Sequence, residues 1–182
     1  MDHDPGSGLI AGRACGACNA CCEFLKIDEP QFRKAPAEVC RHWDKEQACT
    51  IYARRPESCR TFHCGWLQFN WLSADWRPDR SGILVRPVAQ DGAPAIIFMV
   101  IEENDVLDND EAAIVIGNVV ASEVVAYLEV PGPPGYMGAR LKLNAILSRA
   151  VQAGDLAEIR RLLMAGVEQA RRHDMKPAHY DY

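Results

Sequence analysis

The chain has 182 residues, 48% of them hydrophobic, with 25 acidic and 20 basic side chains and a net charge of −5. That composition is ordinary for a globular protein of one domain, or of a small module with a companion. No basic face is visible to neutralise phosphates, which excludes nucleic acid as an expected partner, and the apolar stretches 95–101 and 112–121 are too short to span a bilayer.

The first eight residues are polar and carry no apolar segment of the kind a secretion signal needs, so a cytoplasmic protein is expected. Residues 1–66 then stand apart from the rest. They hold all eight cysteines and three of the five histidines, and their nine Lys/Arg balance nine Asp/Glu. The acidic excess lies in residues 67–182. Two regions are therefore expected: a loop-rich cysteine module over 1–66 and an α+β companion over 67–182 packed against it.

Within the module, Pro56 suits the start of a short helix with Glu57 in its first turn, which puts Cys59 on that helix and Cys64 on it or beside it. The aromatic run Phe62, Trp66, Phe69, Trp71 and Trp76 follows. With Trp43, its tryptophans read as core filling for a small module, with shielding of a metal as the alternative. Asp75-Trp76-Arg77-Pro78-Asp79 reads as a turn-rich connector. Residues 83–88 and 95–101 are β-rich, and Gln90-Asp91-Gly92-Ala93 between them predicts a hairpin. Asn109-Asp110-Glu111 starts a helix to about residue 121, and 124–130 reads as a strand. The acidic run 102–105 reads as a solvated loop. Pro131-Gly132-Pro133-Pro134-Gly135 excludes regular structure and marks a connecting loop. Two helices close the chain. The first covers 140–153 and ends at Gly154. The second begins at Asp155, with Glu158 three residues on, and presents Leu156, Ile159, Leu163 and Val167 on one face. The expected class is α+β: a small loop-rich cysteine-cluster metal module, then a small α/β region of hairpin, helix and strand, then two C-terminal helices.

The cysteines are Cys15, Cys18, Cys21, Cys22, Cys40, Cys49, Cys59 and Cys64. In an exported domain they would predict disulfides; in a reducing compartment clustered thiols read as metal ligands. Two cysteines separated by two residues can turn both sulfurs toward one ion, as in zinc knuckles. Here that spacing repeats through a shared residue, at 15, 18 and 21, which is closer to the run that wraps an iron–sulfur cluster. The ferredoxin's fourth cysteine, followed by proline, is missing. Cys21 and Cys22 are adjacent, so their sulfurs are expected to diverge and to serve different ions or none in common. Eight sulfurs suffice for two tetrahedral zinc ions, or for one cluster with four to spare. Arg41, Arg54, Arg55 and Arg60 lie near cysteines in sequence and would offset thiolate charge. His42 and His63, the histidines nearest the cysteines, are read as ordinary polar side chains, because the thiols alone can complete a site.

Two segments carry a family likeness: Cys15-Gly16-Ala17-Cys18-Asn19-Ala20-Cys21-Cys22, and the stretch from Cys49 through Ile51-Tyr52 and Arg55-Pro56 to Cys59-Arg60-Thr61-Phe62-His63-Cys64. With Cys40 between them, the first third of the chain resembles the CxxCxxCC, or YkgJ-like, cysteine-cluster family of zinc- or iron-chelating proteins. The resemblance implies all eight cysteines as metal ligands and zinc or iron, iron–sulfur included, as the cofactor. Flagellin lysine methylases contain a similar cluster, but no glycine-rich nucleotide loop is present here, so methyl transfer is not carried over. Three roles follow as expectations: a metal that holds the module together, an iron–sulfur redox or protein-modifying enzyme, or metal storage, delivery or sensing.

Overall fold

The computed structural model describes residues 8–102 and 106–180. The N-terminal segment 1–7 and residues 103–105 of the acidic run lie outside the described residues. The fold is α+β, with helices and strands along its length.

From Gly8 to Cys64 regular structure is brief, as expected where cysteine, glycine and proline interrupt every apolar pattern. Helix α1 is Ala20–Phe24. Strands β1 (Ile27–Glu29) and β2 (Phe32–Lys34) form a small antiparallel hairpin. Strands β3 (Trp43–Asp44) and β4 (Ala48–Cys49) form another, with Trp43 opposite Cys49. Helix α2 (Glu57–Thr61) follows Pro56, which occupies its N-cap position without a side-chain capping bond. Helix α3 is Gly65–Gln68, with Cys64 at its N-cap. Between residues 8 and 63 the buried side chains are only Ala20, Ile27, Lys34 and Pro36. The boundary expected at residue 66 falls inside α3, whose Trp66 and Leu67 join the core of the following region. Arg13 ties this stretch down. Its guanidinium donates to the carbonyls of Trp66, Phe69 and Leu72, the last at 2.6 Å.

The second region is built on a four-stranded sheet. Helix α4 (Pro78–Ser81) takes proline in its first turn and ends at Gly82, φ +66°. Strands β5 (Ile83–Gln90) and β6 (Ala93–Val100) pair antiparallel around Asp91-Gly92. Both turn residues have positive φ, 52° and 79°, the combination a tight two-residue hairpin needs. Helix α5 (Asp110–Ala121) is capped by Asn109, whose Oδ1 accepts from the Ala112 amide at 2.8 Å. Strand β7 (Val125–Val130) lies parallel to β6, and β8 (Ala139–Lys142) lies antiparallel to β7. The sheet order is β5-β6-β7-β8. Helices α6 (Leu143–Ala153) and α7 (Leu156–Arg171) follow, joined at Gly154, with Asp155 accepting from the Glu158 amide. The helix expected from residue 140 starts later. Residues 140–142 complete β8, because β7 supplies a ladder across the proline–glycine loop.

Helices α5, α6 and α7 pack on one another and on β7. Phe98, Leu128, Ile116, Leu147 and Leu163 fill that core with no more than 0% exposure each. Strand residues of the opposite parity face away from these helices. Register aligns Arg86 with Ile97, Met99 with Glu129, and Glu129 with Arg140, so all of these share the other face.

Candidate metal centre and its cavity

That second face of the sheet and the cysteine module enclose a cavity of about 380 Å³. Seven cysteines line it: Cys15, Cys18, Cys21, Cys22, Cys40, Cys49 and Cys59. Cys64 lies outside the lining, behind Cys15 and Cys18, whose charges reach it. All eight are free. Folding thus brings to one cavity thiols that stand up to 44 positions apart in the sequence, from Cys15 to Cys59.

Short-range bonds set the scaffold. The Cys18 amide donates to Cys15 O at 3.0 Å, and the Cys40 amide to Cys22 O at 2.9 Å. Cys40 O in turn accepts from the Trp43 amide at 2.9 Å, which carries the chain to the strand opposite Cys49. Glu29 on β1 supplies the cap that Pro56 lacks. Its carboxylate accepts from the Glu57 and Ser58 amides and from Ser58 Oγ, at 3.3, 2.7 and 2.6 Å. These bonds satisfy orphan donors of α2, the helix that carries Cys59, and hold the Glu29 carboxyl below its ordinary value. Lys34 is buried at 6% exposure and donates to the carbonyls of Glu23, Ala35 and Glu38 at 2.7–2.8 Å. One ammonium therefore joins the end of α1 to the approach to Cys40, and its charge acts on Cys22 and Cys40. Two alanines in the module, Ala37 and Ala48, adopt φ of 56° and 58°. A side chain in the left-handed region costs energy, and these residues precede Cys40 and Cys49 closely.

Charge effects link the sulfurs in a chain: Cys15 acts on Cys18, Cys21 and Cys64, Cys22 acts on Cys15, Cys21 and Cys59, and Cys40 and Cys49 act on Cys59. Cys21 and Cys22, adjacent on the short helix α1, shift each other in opposite directions: Cys21 is raised and Cys22 lowered, with Lys34 and Arg55 also lowering Cys22. Burial pushes up the thiols of Cys15, Cys18, Cys59 and Cys64, the last to about 11. The backbone amides of Ala20 and Asp79 lower Cys18, and those of Leu67 and Trp66 lower Cys64, against this trend. Among the arginines expected to offset thiolate charge, Arg55 does so for Cys15, Cys22 and Cys59. Arg60 pairs instead with Glu57, and Arg41 lies on the Phe32 ring and donates to His42 at 3.4 Å. Lys34 was not foreseen, since no cysteine lies within five positions of it in sequence.

The chemistry of the donor set fits a soft cation: eight reduced sulfurs with amide N–H groups and two cations beside them. As they stand, no three His, Cys, Asp or Glu side chains among the described residues are grouped to hold one ion. Closing on a metal requires the short loops of the module to draw in.

The tryptophans divide. Trp66 and Trp76 are core, with Trp76 Nε1 donating to Glu111 at 2.9 Å. Trp43 lines the cavity, and Trp71 is half exposed and stacked on Phe69 at 4.8 Å. The 131–138 loop forms part of the cavity wall and is pinned from two sides. The Gly135 amide donates to Pro36 O, the Met137 amide to Lys176 O, and the Ala178 amide to Gly135 O. The C-terminal tail then reaches the module, where Lys26 donates to His179 O. A Cβ at Gly138 would meet Val130 O at 2.6 Å, so glycine there lets the chain fold back against β7 and deliver Arg140 beside Glu129.

Comparisons with protein-family models, curated proteins and solved structures give no match. Among the described residues no helix is long and apolar enough to cross a membrane.

Proposed function

We propose that this chain is a metal-binding protein of the cysteine-cluster type, in which thiolates from the first 66 residues hold zinc or iron and the metal holds that region together. The observation that carries the reading is that seven of the eight free thiols line one cavity, in a region with almost no apolar core. Burial raises the thiols of Cys15, Cys18, Cys59 and Cys64, so they rest protonated and a bound cation must displace their protons, which makes metal binding depend on pH. Eight sulfurs are enough for two tetrahedral structural sites. Metal binding is then coupled to closure of the loops. A reducing compartment such as the cytoplasm suits these thiols.

A second reading is favoured by the cavity beside the sulfurs: an iron–sulfur redox or protein-modifying enzyme, whose substrate would enter that space. Metal and acid-labile sulfide analysis of protein prepared without oxygen separates the two. Colourless protein with zinc supports the structural site. Brown protein with iron and sulfide supports the cluster. Metal-free protein with oxidised sulfurs overturns both.

A further inference from the structure

The wall of the cavity opposite the cysteines carries a charge arrangement that metal binding does not use. Glu129 on β7 is buried at 5% exposure. It is gripped by two arginines: Arg86 on β5, Nη1 to Oε1 at 3.0 Å, and Arg140 on β8, Nε and Nη2 to Oε2 at 2.8 and 2.6 Å. All three line the cavity. One carboxylate cannot balance two guanidiniums, so this floor keeps one excess positive charge. Arg86 Nε is buried with no hydrogen-bond partner among the described residues, and so is the indole N–H of Trp43, another residue of the same lining. Both atoms lie beneath the surface of the lining, where an unpaired donor is costly. The charged groups that act on Arg86 are Glu129 and Arg140. The rest of the lining is largely apolar, with Phe24, Ile27, Phe32, Val88, Met99 and Met137 among it. A cavity of about 380 Å³ has the size of a small-molecule site.

We propose that this cavity binds a small organic carboxylate with an apolar body, its carboxylate held by Arg86 and Arg140 and its body packed on the apolar wall. The planar forks of two arginines suit a carboxylate, and Glu129 pre-orients both so that little is lost in ordering them. The arginines that hold the carboxylate stand on the sheet, while the opposite wall of the cavity is the cysteine module.

The test is isothermal titration of the full chain, with its native metal content, using octanoate as the probe. Octanol carries the same body without charge, and inorganic phosphate carries charge without the body. Saturable octanoate binding is expected, with octanol and phosphate each weaker by about tenfold or more. Arg140→Gln leaves a balanced Arg86–Glu129 pair and should weaken octanoate by about tenfold or more while near-ultraviolet circular dichroism and metal content stay unchanged. Arg86→Lys keeps the charge and loses the fork, and should also weaken binding. No saturable octanoate binding, equal binding of octanol, or undiminished binding by folded Arg140→Gln would overturn the proposal.

Discussion

The two halves of this molecule reach an ordered structure by different means. Residues 67–180 bury a continuous apolar core between a mixed sheet and three helices, with Phe98, Leu128, Ile116 and Leu163 inaccessible. Residues 8–63 bury two small or medium apolar side chains, a proline and a lysine, yet set seven thiols around one cavity. A region of that size has little apolar stabilisation of its own, and the proposed metal would supply the rest. What the contrast teaches is that polar and sulfur contacts in the first region do the work that apolar area does in the second.

Cysteine replacement should break the comparison most sharply. Cys18→Ser or Cys59→Ser should remove much of the roughly 10–16 kcal/mol with which a structural zinc site holds a small domain. Limited proteolysis should then cut within residues 8–64 and leave β5–α7 intact. Leu163→Ala acts on the other half. It should cost about 2–5 kcal/mol, read as a lower denaturant midpoint of the sheet region. Lys34→Met tests the polar scaffold between them. It leaves three carbonyls without their donor and should destabilise the module by about 2–4 kcal/mol, with weaker metal retention against a chromophoric chelator. Ala48→Gly should do the opposite and stabilise the module by roughly 1 kcal/mol, because glycine removes the side-chain penalty at φ 58°. The smallest effect is pH-dependent. The Glu29 carboxyl sits below its ordinary value of 4.5, so its capping of α2 is present above that value and fades as pH falls through the lowered one. Glu29→Gln should speed amide exchange at Glu57 and Ser58 near neutral pH, and the difference from the parent chain should shrink in acid.

How much was legible in the sequence follows the same divide. Asn109, Asp155 and Gly154 announce helix ends through side chains and backbone freedom local to them, and Asp91-Gly92 announces its hairpin in the same way. Strand β8 was hidden, because Arg140-Leu141-Lys142 becomes a strand only beside β7, across a loop whose return depends on close approach at Gly138. The cysteines were legible as a set. Their places around the cavity were not, nor were the opposite shifts of Cys21 and Cys22, because the packing of loops with no periodic pattern is decided by distant partners. Lys34 and the Arg86–Glu129–Arg140 cluster were missed for a related reason. Arg86 and Glu129 stand 43 positions apart and meet only through sheet register.

Backbone hydrogen exchange before and after complete metal removal under reducing conditions measures the contrast directly. The account predicts that amides of residues 8–64 lose protection while β5–β8 and α5–α7 keep theirs. Unchanged protection in the first region, from protein shown to have carried metal beforehand, would contradict it.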